Sequence, residues 1–97
     1  MPTYLTLFKW TEQGGKTARD TLNRAQAFRE AAQQQGCNVV TIGWTQGPYD
    51  GYFVTEAPDE YTATALLLKL VGQGNLSTTT LRSFNEDEMQ QILQKLD

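Results

Sequence analysis

The chain has 97 residues, with eight basic and eleven acidic side chains, a net charge of −3 and no histidine. That length suits one core made from a single sheet and two or three helices, and predicts one domain over residues 1–97. The charge balance argues against nucleic acid as a partner, and without imidazole neither a Ser-His nor a Cys-His nucleophile pair can form within the chain. Most nitrogen-ligated transition-metal sites are excluded with them, and no metal or cofactor is expected. Residues 1–10 lack a basic segment followed by a long apolar run, and no stretch has the length of a membrane span, so the chain reads as cytoplasmic with no membrane partner. The lone Cys37 cannot form an internal disulfide, which fits a reducing compartment.

In chain order, residues 3–10 alternate between Thr3, Leu5, Leu7 and Lys9 on one face and Tyr4, Thr6, Phe8 and Trp10 on the other, which predicts a first strand. Residues 11–19 carry Gly14-Gly15 and one apolar residue, Ala18, and read as a loop closing into a helical turn near its end. Asp20 or Thr21 caps a helix over residues 21–35, whose apolar positions fall at helical spacing and which Gly36 stops in the left-handed conformation. Residues 37–45 and 49–56 are β-rich and joined by a short link containing Pro48, which predicts an antiparallel hairpin with Pro48 in its turn.

Asp59 caps a second helix that is apolar around more of its circumference than one packed face requires, and Gly72-Gln73-Gly74 ends it. Residues 75–84 alternate again as a fourth strand. Asn85 followed by Glu88 gives a capping box for an amphipathic terminal helix carrying Met89, Ile92, Leu93 and Leu96. The order β-α-β-β-α-β plus a helix specifies an α+β, ferredoxin-like sandwich: a four-stranded antiparallel sheet with two helices on one face.

Such a sheet leaves its other face bare. With Leu5 and Leu7 turned to the helices, Tyr4, Thr6, Phe8 and Trp10 form an aromatic row on the open face. The expected remedy is a second copy, giving a homodimer or higher homo-oligomer through the open sheet face, with a small-molecule ligand held near Thr6, Thr78 and Thr80.

Five segments carry a family resemblance: residues 10–14, the Asp20-Thr21 helix start, the run Trp44-Thr45-Gln46-Gly47-Pro48-Tyr49-Asp50, the helix entrance at residues 56–59, and the strand from Gly74-Asn75 to Leu81-Arg82-Ser83-Phe84. Together they resemble the GYD-domain family, whose Gly-x-Tyr-Asp turn is matched by Gly47, Tyr49 and Asp50. The resemblance implies a ferredoxin-like, dimeric α/β-barrel protein of bacteria, and it implies no reaction, since the family's biochemical role is largely unassigned.

The ligand-binding candidates are Thr6, Phe8, Trp10, Trp44, Tyr49, Asp50, Tyr52, Thr80 and Arg82. Each has a plainer role available. Gly47, Pro48 and Asp50 serve turn chemistry, strand aromatics usually fill a core or interface, and Arg82 needs an anion that a carboxylate such as Asp50 supplies as readily as a ligand. Residues 13–19 could form a lid over the cleft, as any surface loop could. Three functions remain open: a small-ligand-binding or regulatory homo-oligomer, a cofactor-independent oxygenase or isomerase using Tyr49, Asp50 and Arg82, and a purely structural oligomer. A free amine at Pro2, after loss of Met1, gives a minor tautomerase-like alternative.

Overall fold

A computed structural model describes residues Met1–Asp97. Strand β1 (Thr3–Trp10) leads into a short helix α1 (Glu12–Lys16), a 3-10 turn (Ala18–Asp20) and helix α2 (Thr21–Gln34). Strands β2 (Asn38–Trp44) and β3 (Gly51–Glu56), helix α3 (Glu60–Val71), strand β4 (Leu76–Ser83) and helix α4 (Glu86–Gln94) follow. The sheet order is β2-β3-β1-β4 with every neighbouring pair antiparallel, the ferredoxin-like arrangement read from the sequence.

Helices α2 and α3 cover one face. Phe28 and Ala32 of α2 and Ala63 and Leu66 of α3 meet Phe8 and Phe53 from the sheet, with the Phe28 and Phe53 ring centroids 4.7 Å apart. Phe8 is therefore a core residue, 4% exposed, and Tyr4 and Trp10 of the same strand face pack against that core.

The orientation of β1 is thus the reverse of the sequence expectation. Tyr4, Thr6, Phe8 and Trp10 face the helices, and alternation turns Leu5, Leu7 and Lys9 to the open side. Both faces of β1 carry apolar residues, so alternation alone cannot rank them. Enclosing the larger rings removes more apolar area from water, at roughly 25 cal/mol per Å².

The hairpin forms as expected, with Thr45 N–H donating to the Asp50 carbonyl at 2.9 Å across the turn and Gly47 at φ +109°. A register shift between Val39 and Thr41 marks a bulge in β2. The stretch read as a loop is better ordered than expected, because Thr11 caps α1 by accepting from Gly14 N–H. Asp59 caps α3 through Thr62 N–H, and Asn85 with Glu88 forms the complete capping box of α4. Asp20 precedes α2 without making a side-chain cap.

Helix α4 makes no extensive contact with any other element, and none of its residues is buried. The projecting helix raises the radius of gyration to 14.6 Å, above the roughly 12.5 Å typical of a compact chain of this length.

Candidate functional site

At the end of the sheet where β1 and β2 finish and β4 begins, the helix layer and the sheet part into an apolar cleft. Its walls are Phe8, Phe28, Ile42, Trp44, Phe53 and Leu76, and the hollow between them is small, about 40 Å³, and open to solvent at its mouth. Thr21, Arg24, Gln73 and Asn75 stand among the lining residues as its polar members, and none of the lining residues is acidic.

Local structure fixes this mouth. Trp44 Nε1 donates to Thr21 Oγ1 at 3.0 Å, pinning the indole of β2 to the first residue of α2. Arg24 Nη1 donates to the Thr17 carbonyl and to Thr17 Oγ1, and Nη2 reaches the Gly14 carbonyl at 3.4 Å. The α1 segment is held in turn by the loop before β4: Thr11 N–H donates to the Asn75 carbonyl, and Gln13 Nε2 donates to the Gln73 carbonyl and Asn75 Oδ1. Gly14 lies so close to the Asn75 carbonyl that any side chain there would overlap it. Gln13, Gly14 and Thr17 are therefore docked against their neighbours, in the stretch for which the sequence left a lid or an ordinary surface loop open.

Of the nine residues singled out from the sequence, the cleft unites Phe8 and Trp44. Thr6, fully buried, and Thr80 share a hydroxyl–hydroxyl bond at 3.0 Å on the helix side of the sheet. Neither lies on the open face as expected, because they belong to the strand faces that carry Phe8 and its partner Thr78. Trp10 packs on the core, and its Nε1 is buried without an acceptor. Tyr52 lies on the open face, its ring over Gly43 of the neighbouring strand.

Tyr49, Asp50 and Arg82 do not converge within one chain. Asp50 Oδ2 accepts from Trp10 N–H at 2.8 Å, so it closes the end of β1, and the Lys9 ammonium sits 5.4 Å from the Tyr49 ring centre nearby. Arg82 pairs in register with Tyr4 at the opposite end of β1, roughly 20 Å away at the usual rise of about 3.3 Å per strand residue. Its anion is a structural carboxylate, Glu88 of α4 at 3.0 Å and not the Asp50 offered as an example from the sequence, and its guanidinium stacks 4.4 Å from the Phe84 ring centre.

Sequence reasoning missed Arg24, Thr21, Phe28, Ile42 and Leu76. A signal was present in part, since Thr21, Arg24 and Phe28 recur at spacings of three and four and so share one side of α2.

The open sheet face is the second surface of note. Leu5 sits between Val54 and Leu81, and Leu7 between Tyr52 and Thr79, which makes a continuous apolar patch on a side that no helix covers. Leu81 is 46% exposed. The apolar stripe of α4, formed by Met89, Ile92 and Leu93, is also exposed, as is Leu96 just past its end.

Three groups titrate away from their ordinary values. The Thr62 backbone N–H holds the Asp59 carboxyl low, and the Asn85 backbone N–H, followed by Arg82, does the same for Glu88. Burial, and secondarily the Asp59 carboxylate, pushes the Cys37 thiol up. None of these groups lines the cleft.

The chain matches the GYD domain over residues 4–93. The chain belongs to the GYD family. Among curated proteins, this GYD chain is similar to the glutamine synthetase and cystathionine beta-lyase binding protein of Thermus thermophilus, with 31% identity over 84 residues, covering 86% of this chain and 88% of the relative. No solved structure gives a significant match. No helix is long and apolar enough to cross a membrane.

Proposed function

We propose that this GYD protein is a non-catalytic binding and regulatory protein that pairs with a second copy of itself through the open sheet face and presents α4 to another protein. The observation that carries the reading is that two apolar surfaces are left uncovered: the Leu5, Leu7, Tyr52, Val54 and Leu81 patch and the stripe of α4. Exposed apolar area of this extent is stabilised when another surface removes it from water.

Charge supports a second copy as the occupant of the sheet face. Alternation and register put Lys9 and Glu56 on that face at opposite ends, Lys9 beside the Phe8–Gly51 pair and Glu56 opposite Thr3. A two-fold axis that reverses the strands brings Lys9 of each copy toward Glu56 of the other, which is the self-complementarity a symmetric dimer requires. The likeness to a relative named for binding two metabolic enzymes supports the second part, a protein partner for the free helix. Amphipathic helices commonly dock apolar stripes of this kind into a groove of a partner.

The test is co-sedimentation of the purified chain with purified glutamine synthetase and cystathionine beta-lyase from the same source, using wild type and Ile92→Asp in α4. Wild type is expected to co-sediment with at least one enzyme and the variant to be lost from that complex while it still self-associates. Failure of wild type to bind either enzyme would remove the partner reading and leave self-association to be judged separately.

A further inference from the structure

The cleft lies on the helix side of the sheet, away from the face assigned to self-association, and has its own chemistry. Its wall is aromatic and aliphatic, its lining holds no acid, and Arg24 is the one cation there. Arg24 takes part in neither ion pair of the chain, which are Lys16–Glu12 and Arg82–Glu88. Three of its hydrogen bonds go to neutral oxygens of Thr17 and Gly14, and a guanidinium carries five N–H donors, so donors remain for an anion. A cation without a counter-charge beside an apolar hollow suits a ligand whose body is hydrophobic and whose end is a carboxylate.

We propose that the cleft binds a small organic acid, a single aromatic ring or short branched chain bearing one carboxylate, with its body between Phe28, Trp44 and Leu76 and its carboxylate on Arg24. Size limits the body, because the hollow among Phe8, Phe28 and Phe53 holds only about 40 Å³. Affinity is expected on the order of 0.1–1 mM, the range reached by fragments of roughly ten non-hydrogen atoms. Arg24 also grips Thr17 and Gly14 of the α1 segment, so an acid drawn to the guanidinium would be felt there as well.

The probe is phenylacetate, compared with its neutral isostere phenylacetamide, titrated into the full chain and followed by Trp fluorescence and by backbone amide chemical shifts. Phenylacetate is expected to saturate, to shift the amides of Ala25, Ile42 and Leu76 and those of residues 14–17, and to bind at least tenfold more tightly than the amide. Ala25→Leu, which fills the cleft, is expected to abolish binding. Arg24→Gln is expected to bring acid and amide to equal affinity, and Arg24→Lys to retain part of the preference. Equal affinity of acid and amide for wild type, shifts confined to residues outside the cleft, or no saturable binding would overturn the proposal. The comparison on wild type needs no variant to fold, and none of these outcomes depends on whether the chain self-associates.

Discussion

The Trp10 backbone N–H donates to Asp50 Oδ2 at 2.8 Å, so the carboxylate of the hairpin turn closes a backbone donor at the end of the central strand β1. Asp50 N–H also donates to the Phe8 carbonyl at 2.8 Å, making the turn a continuation of the β1–β3 ladder. The Gly-x-Tyr-Asp run thus serves structure first. Hydrogen bonds to charged groups contribute about 1.5–3 kcal/mol, and Asp50→Ala is expected to lower the unfolding free energy by about that amount in urea titration, at unchanged m-value. Asp50→Asn, which keeps an acceptor, is expected to cost less.

Gly51 sits under the Phe8 ring, and a methyl group there would overlap both that ring and the Gly43 carbonyl oxygen. Because the neighbour on one side is backbone, the site cannot relax by a side-chain rotation alone. Gly51→Ala is expected to destabilise the fold by about 1–3 kcal/mol, the usual cost of overpacking, and to displace the Phe8 ring in aromatic proton spectra. Gly15→Ala, with open space around its Cβ, is the matched control and should change stability little.

Acid sensitivity follows from Asp59 and Glu88. Both carboxyls are held low in the folded chain by backbone N–H groups at helix starts. Their contribution to stability is complete above the unfolded carboxyl values of roughly 3.9 and 4.3 and is lost as pH falls through the lower folded values. Stability is therefore expected to be level in this respect near neutrality and to fall below about pH 5. Asp59→Asn keeps the cap and is expected to flatten the acid limb of a Tm-versus-pH curve with little change at pH 7. Glu88→Gln should act on the start of α4 and on its ion pair with Arg82, visible as reduced helicity at low pH in wild type but not in the variant.

The Cys37 thiol is buried and its pKa raised, so the folded chain favours the neutral thiol. This contribution is complete below the unfolded cysteine value of about 8.5 and is lost as pH rises through the folded value. Reaction with a disulfide reagent at pH 8 is expected to be orders of magnitude slower in native buffer than in denaturant, as the thiolate is the nucleophile. Fast native labelling would contradict the burial.

Much of this architecture was legible in the sequence because local rules and tertiary packing agree there. Gly36 and Gly47 adopt positive φ where turn chemistry asked for it, and the Asn85–Glu88 box starts α4 where the spacing placed it. What stayed hidden depends on contacts far apart in the chain. The outward face of β1 was misread because Leu5 and Leu7 balance Tyr4 and Phe8 locally, and only α2 and α3 decide which set is enclosed. The cleft was half seen for the same reason: Phe8 and Trp44 stood out as strand aromatics, whereas Arg24 joins them only after α2 folds across the sheet. Arg82 found Glu88 because the two are close along the chain, a pairing that a search for a distant anion passed over.

Sedimentation equilibrium of wild type beside Leu81→Asp reads out whether the open sheet face joins two copies, as proposed. Leu81 is 46% exposed, so the charge is tolerated in a single chain and costly only where a second surface covers it. Wild type is expected to sediment at twice the 10.9 kDa chain mass and the variant, with unchanged circular dichroism, at the mass of one chain. Wild type remaining at 10.9 kDa over the whole accessible concentration range would contradict it.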